Sequence, residues 1–285
     1  MTWELTDRLQ YHIKCRKGDV ARYVLLPGDP ARVKVIASLW DESRKVAENR
    51  QYITYTGKAS GVAVSATSTG IGAPSTAIAV EELARCGADT FIRVGTCGGY
   101  QKGQKIGDIG IAVAAVRWEG TTRQYVPIEY PAVGTPEVVM ALIEAAERIG
   151  ADYHVGITKS GDSLYAAMAF GGYDQSWFRN VESDFIKANV ITAEMEASTI
   201  FTLANLFRLR AGCVCSIIDL VPTDSDQKPE RELSVEESFQ PNPEYILESC
   251  RCAVEATKIL SKWDRDREGK GRKNWFPSLS YHPNS

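Results

Sequence analysis

A chain of 285 residues, 44% hydrophobic and 24% charged, holds enough apolar residues for one large α/β domain or two small ones. Its formal net charge of -3 offers no basic field to a nucleic acid, and no apolar stretch approaches the roughly 20 residues that span a membrane. The three histidines, at 12, 154 and 282, do not cluster with carboxylates and speak against a metal site, while the seven scattered cysteines lack CxxC spacing and read as buried free thiols.

The first residues, 1–8, lack the basic-then-apolar layout of a signal peptide, so a cytoplasmic protein is expected. The apolar run Tyr23-Val24-Leu25-Leu26 reads as a strand that ends in a glycine turn at Gly28, with Arg32 one helical turn on. A strand over 62–66 leads through Thr69-Gly70-Ile71-Gly72-Ala73-Pro74-Ser75 into a helix over 75–85, whose apolar face is Ala77, Ile78, Val80, Leu83 and Ala84. A strand over 90–94 follows, then one over 108–116 that is buried on both faces. Thr135-Pro136-Glu137 starts a helix that runs to Arg148 and stops at Gly150. A strand over 154–159, a helix over 195–208, a strand over 213–218 and a closing helix over 245–262 complete the alternation. The polar stretch 222–241 reads as a loop near the site or a flap. The charged tail after Lys262 reads as a solvated extension, or as a subunit-contact arm through Trp275 and Phe276. The fold class expected is α/β: a single domain over 11–263, with a mixed, mainly parallel twisted sheet flanked by helices on both faces, and an irregular extension over 264–285.

Two segments carry chemistry. Arg93 sits inside the apolar run Phe91-Ile92-Arg93-Val94, where an unpaired charge would be costly unless it meets an anion. The Gly95-Thr96-Cys97-Gly98-Gly99 that follows reads as a turn offering main-chain N–H groups and the Thr96 hydroxyl to that anion. With Gly28 and Arg32 at a second strand end, an oxyanion held between guanidinium groups and amides is expected. In Ala193-Glu194-Met195-Glu196, the two acids open a helix, either as ordinary dipole partners or as acceptors for a sugar diol with the thioether against the ring. Phosphate, diol and a flat apolar pocket together describe a nucleoside and orthophosphate.

These motifs resemble the nucleoside phosphorylase family that contains uridine phosphorylases and the smaller-subunit purine nucleoside phosphorylases. The resemblance covers roughly 11–260 and rests on Pro27-Gly28-Asp29-Pro30-Ala31-Arg32, Asn49-Arg50-Gln51-Tyr52, Ser68-Thr69-Gly70-Ile71-Gly72-Ala73-Pro74-Ser75, Ile92-Arg93-Val94-Gly95-Thr96-Cys97-Gly98 and Glu194-Met195-Glu196. The overall run is most similar to uridine phosphorylases. The resemblance implies that Gly28, Arg32, Arg93 and Thr96 bind phosphate, with Arg50 reaching the phosphate of a neighbouring subunit and His12 the ribose 5′-hydroxyl there. It implies that Met195 and Glu196 hold the ribose, with Glu194 beside them. Gly98, Leu164, Met168, Phe170 and Asp219 would form the base pocket, and Arg93, Glu196 and Asp219 would be catalytic. A shared site implies a homodimer as the minimum unit, and the family a homohexamer of three dimers. Orthophosphate is a co-substrate that attacks C1′ of an oxocarbenium-like ribose, with no cofactor and no metal.

The chain departs from the uridine pattern in the base segment. Where uridine phosphorylases carry a glutamine and an arginine, this chain has Met168 and Phe170, which cannot donate to uracil carbonyls; Gln175 and Arg179 lie further on. Val221 stands near the place of a further arginine. Asp219, in Ile218-Asp219-Leu220-Val221-Pro222, resembles the aspartate that purine enzymes use at N7, or else it caps the following turn. Gln51 replaces a glutamate that some relatives use for potassium, although Ser75 is kept. The alternatives are a purine nucleoside phosphorylase, a hydrolytic nucleosidase and a non-catalytic nucleoside-binding protein. The arginines Arg32, Arg50 and Arg93, with Thr96, favour phosphorolysis.

Overall fold

The structure, a computed structural model, describes residues 6–165, 176–220 and 243–269. Its elements in chain order are β1 (Tyr23–Leu26), α1 (Pro30–Ala37), β2 (Glu42–Asn49), β3 (Tyr52–Ala59), β4 (Val62–Thr67), α2 (Ala73–Arg85), β5 (Thr90–Gly99) and β6 (Ile109–Trp118). There follow β7 (Ala132–Val133), α3 (Pro136–Ile149), β8 (Tyr153–Gly161), α4 (Ser176–Lys187), β9 (Val190–Glu194), α5 (Ala197–Leu206), β10 (Arg210–Leu220) and α6 (Pro243–Gly269).

The expected mixed sheet is present. Its centre, β4-β1-β5-β10, is parallel, as are the pairs β6–β8 and β8–β9, while β2–β3, β3–β4, β10–β6, β6–β7 and β5–β9 are antiparallel. β5 pairs with β10 along its length, with β1 near its start and with β9 at Gly98 and Gly99. Because β10 also pairs with β6, β6 with β8 and β8 with β9, the strands β5, β10, β6, β8 and β9 close on themselves. The strands β1, β4, β3 and β2 extend from this ring as an open wing, and its edge, β2, is charged and largely exposed, as edge strands are kept from pairing further.

Helices cover both faces, and the strands feed both cores by alternation. Tyr23 and Leu25 of β1 pack with Val33 and Ile36 of α1, Leu142 of α3 and Ile259 of α6. Val24 and Leu26 pack with Val80 and Leu83 of α2 and Phe201 of α5. Gly150 takes the left-handed conformation (φ 70°) that ends α3, as its position after an amphipathic run requires. All seven cysteines are buried and unpaired. Among the described residues, no helix is long and apolar enough to cross a membrane.

The structure differs from the sequence reading in four places. Residues 95–99 are not a turn but the second half of β5, paired with β10 along their length and with β9 at Gly98 and Gly99. The helix expected over 195–208 starts at Ala197, because β9 runs to Glu194 and Met195 and Glu196 form the bend that follows it. The hairpin β2–β3, the short β9 and α4 carry too little apolar periodicity to have been read. The closing helix runs past Lys262 to Gly269, and Asp264 is buried rather than solvated. Its carboxylate takes both terminal nitrogens of the wholly buried Arg210, at 2.9 and 2.8 Å, and the Tyr23 hydroxyl at 2.5 Å. The stretch 222–241 and the pair Trp275 and Phe276 lie outside the described residues.

Candidate active site

The site lies at the carboxyl ends of β1, β4 and β9, against the middle of β5. The turns after β1 and β4 are joined: the Thr69 amide donates to the Pro27 carbonyl at 2.9 Å and the Gly70 amide to the Gly28 carbonyl at 3.0 Å. Gly28 thus lies against the segment that opens α2, and Arg32 follows it in the first turns of α1.

Arg93 is buried at the middle of β5 and bracketed by two acids. Its Nε donates to Glu194 Oε2 at 2.5 Å, and its Nη2 meets Glu196 Oε2 at 2.5 Å. Burial opposes the Arg93 charge, but Glu196 and Glu194 outweigh it and hold the guanidinium well above its ordinary value. Gly95 makes this pose possible: a Cβ there would stand 2.8 Å from the Arg93 guanidinium and 2.7 Å from Cys215 Sγ. The other Glu196 oxygen accepts the Gly72 amide, at the start of α2, at 2.6 Å. Burial, opposed by Arg93 and reinforced by Glu194, pushes the Glu196 carboxyl up to about 7.

Arg32 is the second buried guanidinium. Its Nη1 donates to the Val94 carbonyl, one residue from Arg93, at 3.2 Å, while its Nε has no hydrogen-bond partner among the described residues. Burial first, and the like charge of Arg93 after it, lower its proton affinity. Among the described residues Arg32 has no ion-pair partner, so a buried guanidinium nitrogen is left unsatisfied beside a second arginine.

Two residues expected at a neighbouring subunit lie apart from this group. Arg50 is exposed in the turn between β2 and β3, with a left-handed backbone (φ 54°) that is uncommon for a non-glycine residue. His12 is half-buried. Its Nδ1 lies 2.7 Å from Glu82 Oε1, so the carboxylate draws the proton to Nδ1 and leaves Nε2 without a partner among the described residues. The Asn49 side chain donates to the His12 carbonyl at 2.7 Å, which ties the two together on one rim.

Thr96 and Gly98 are half-buried on β5, opposite Ser216 and Asp219 of β10. A register shift between Ile217 and Asp219 sets Asp219 against Gly98. Burial raises the Asp219 carboxyl, opposed by the Leu220 amide, which donates to it at 2.9 Å. Met195 is half-buried between the two glutamates, and Leu164 is half-buried just beyond β8. Met168, Phe170, Gln175 and Val221 lie outside the described residues, as does the side chain of Arg179.

The sequence reading placed Glu194 beside the ribose. In the structure both of its oxygens are engaged inside the protein, with Arg93, the amides of Glu196 and Ala197, and the Ser160 hydroxyl. Ser160 and Gly72 were missed. Ser160 stands at the end of a buried strand next to a glycine, a weak signal at best, and the Gly72 amide has no side-chain signature.

The sequence profile of the Phosphorylase superfamily matches residues 22–250. The chain is 52% identical over 277 residues to a uridine phosphorylase of Thermococcus kodakarensis, covering 96% of this chain and 94% of that protein. It is 38% identical over 264 residues to a uridine phosphorylase of Treponema pallidum, covering 90% and 96%. It is also 41% identical over 208 residues to a guanosine phosphorylase of Halorubrum lacusprofundi, covering 73% and 82%.

Proposed function

The chain belongs to the phosphorylase superfamily, and within it we propose a uridine phosphorylase-like nucleoside phosphorylase: a pentosyltransferase that cleaves a nucleoside's N-glycosidic bond with orthophosphate, giving free base and (deoxy)ribose 1-phosphate. The observation that carries this reading is the pair of buried guanidiniums, Arg32 with an unsatisfied Nε and Arg93 between Glu194 and Glu196. Two cations at one strand end suit a phosphate dianion. A carboxylate beside them suits the ribose hydroxyls, which donate to it.

The chemistry then follows. Phosphate takes the place of Glu196 at the Nη2 edge of Arg93, and Glu196 accepts from the ribose. Anion and carboxylate together stabilise positive charge as the glycosidic bond loosens, and the fixed guanidiniums cost no reorganisation at that moment. Arg32 and Thr96 complete the phosphate site. Met195 packs on the sugar. Arg50 and His12, on one rim of this chain, would serve a partner's site, which supports a homodimer with shared sites and, by family, a homohexamer. No cofactor or metal enters the scheme. We place the enzyme in the cytoplasm, where seven unpaired cysteines stay reduced.

The base is the open choice. The uridine phosphorylase relatives favour uracil. A purine is favoured by Asp219, whose raised proton affinity suits a hydrogen bond to a purine nitrogen, and by the guanosine phosphorylase relative. Base release from uridine, inosine and adenosine, each with orthophosphate, decides between them. Cleavage of uridine alone is expected. Purine cleavage that Asp219→Asn harms far more than uridine cleavage transfers the assignment to a purine enzyme.

A further inference from the structure

Glu194 stands in the middle of the site with both carboxylate oxygens engaged inside the protein. Its Oε2 accepts from Arg93 Nε at 2.5 Å and from the amides of Glu196 and Ala197 at 2.8 and 2.9 Å. Its Oε1 accepts from the Ser160 hydroxyl. Ser160 is wholly buried at the end of β8, and its oxygen accepts the Ser198 amide at 2.8 Å. A hydroxyl has one proton to give, so that proton is committed to Glu194.

The line continues outward. Ser198 Oγ donates to Glu119 Oε1 at 3.2 Å, and Glu119 Oε2 accepts the Thr122 amide at 2.9 Å. Arg117 Nε donates to Thr122 Oγ1 at 2.9 Å, and the same guanidinium gathers the carbonyls of Val126, Pro127, Ile128 and Tyr130. A buried polar line therefore joins the loop over 119–131 to Arg93 through two serines.

We propose that Ser160 is a positioning residue for the phosphorylase reaction: through Glu194 it fixes the plane of the Arg93 guanidinium and so the geometry of the phosphate site. The proposal rests on the phosphorylase reading of that site. Glu194 touches Arg93 only at Nε, so it sets the rotation of the guanidinium while Nη2 stays on the edge that meets Glu196 in the free protein. Without the Ser160 proton, Oε1 is a buried carboxylate oxygen with no donor. The carboxylate turns to share its remaining donors, and Arg93 keeps its charge but loses its alignment. An arginine that recognises a tetrahedral oxyanion by its planar fork depends on that alignment.

The test titrates orthophosphate into the full chain by calorimetry, for the wild type, Ser160→Ala and Ser160→Thr. The KM of the best nucleoside substrate is measured in parallel at saturating phosphate. Ser160→Ala is expected to weaken phosphate binding about tenfold, or about 1.4 kcal/mol, with the nucleoside KM unchanged. Ser160→Thr, which restores the hydroxyl, is expected to return phosphate affinity to the wild-type value. Should Ser160→Ala fail to fold, Ser160→Cys, similar in size with a weak donor, is held to the same expectation. Unchanged phosphate affinity, an equal loss for both substrates, or no recovery with threonine overturns the proposal. A wild type that binds no orthophosphate overturns the phosphorylase reading and this proposal with it, and that result is seen before any variant is compared.

Discussion

Arg93→Ala is expected to lower kcat/KM for phosphorolysis by a factor of about a thousand or more, roughly 4 kcal/mol of transition-state stabilisation. The substitution removes the cation that touches both buried acids. It also leaves Glu194 and Glu196 side by side in the interior, where one of them takes a proton because two buried carboxylates cannot both stay ionised. Glu196 is then a poorer acceptor for ribose, so binding of both substrates suffers. Arg93→Lys separates charge from shape: it keeps a cation but cannot meet Glu194 and an anion at two edges, and activity between the wild type and Arg93→Ala is expected. Steady-state kinetics with varied phosphate, on samples whose circular dichroism matches the wild type, makes the measurement. Near-normal turnover in folded Arg93→Ala would place the anion elsewhere.

Asp264→Ala is expected to cost about 3–5 kcal/mol of stability, the range for removing one partner of a buried ion pair. Arg210 has no exposed surface, and Asp264 takes both of its terminal nitrogens. Glu137 is a further partner at 3.5 Å, too distant to replace a two-point contact. Asp264 also accepts the Tyr23 hydroxyl, so the change leaves a buried donor unmet on β1, in the middle of the sheet. The last turns of α6 therefore fasten the start of β10 to β1. Burial alone would raise the Asp264 carboxyl, but the Arg210 hydrogen bonds and charge outweigh it and hold it below its ordinary 3.8. A depressed carboxyl stabilises the fold fully above that ordinary value, and the contribution is lost as pH falls below it. Denaturant midpoints for wild type and Asp264→Ala at neutral pH, and again at acid pH, should converge as the pH falls. Midpoints that coincide at neutral pH would mean that α6 is held by its apolar contacts alone.

Much of the site was legible because its chemistry conflicts with its surroundings. An arginine inside Phe91-Ile92-Arg93-Val94 is explained by neither propensity nor periodicity, and the structure places it between two carboxylates. Glu194 and Glu196 at a strand end were visible as a pair, but their division of labour was not. Which oxygen meets the amides of Glu196 and Ala197 depends on the backbone path, and so does the role of Ser160. The strands β1, β4 and β6 were visible as apolar runs, because strands covered on both faces lose their alternation. The second half of β5 was hidden by its glycines, which read as a turn. They are needed there for close approach, Gly95 to the Arg93 guanidinium and Gly99 to Gln104 and Leu220. The charged edge β2 and the closure of the ring through β9 depend on partners distant in sequence, which no local pattern reports. The end of α6 was misread because Asp264 and Arg267 look like solvent residues until their partners Arg210 and Glu137 are in view.

The most direct measurement is the phosphate dependence of base release, with the sugar product identified by phosphorus NMR. Uridine is incubated with the protein in phosphate-free buffer and again with orthophosphate. The two-arginine site predicts no uracil without phosphate, and with it uracil and ribose 1-phosphate in equal amounts. Uracil with free ribose in the phosphate-free sample would contradict it, because the guanidiniums would then not be holding the nucleophile.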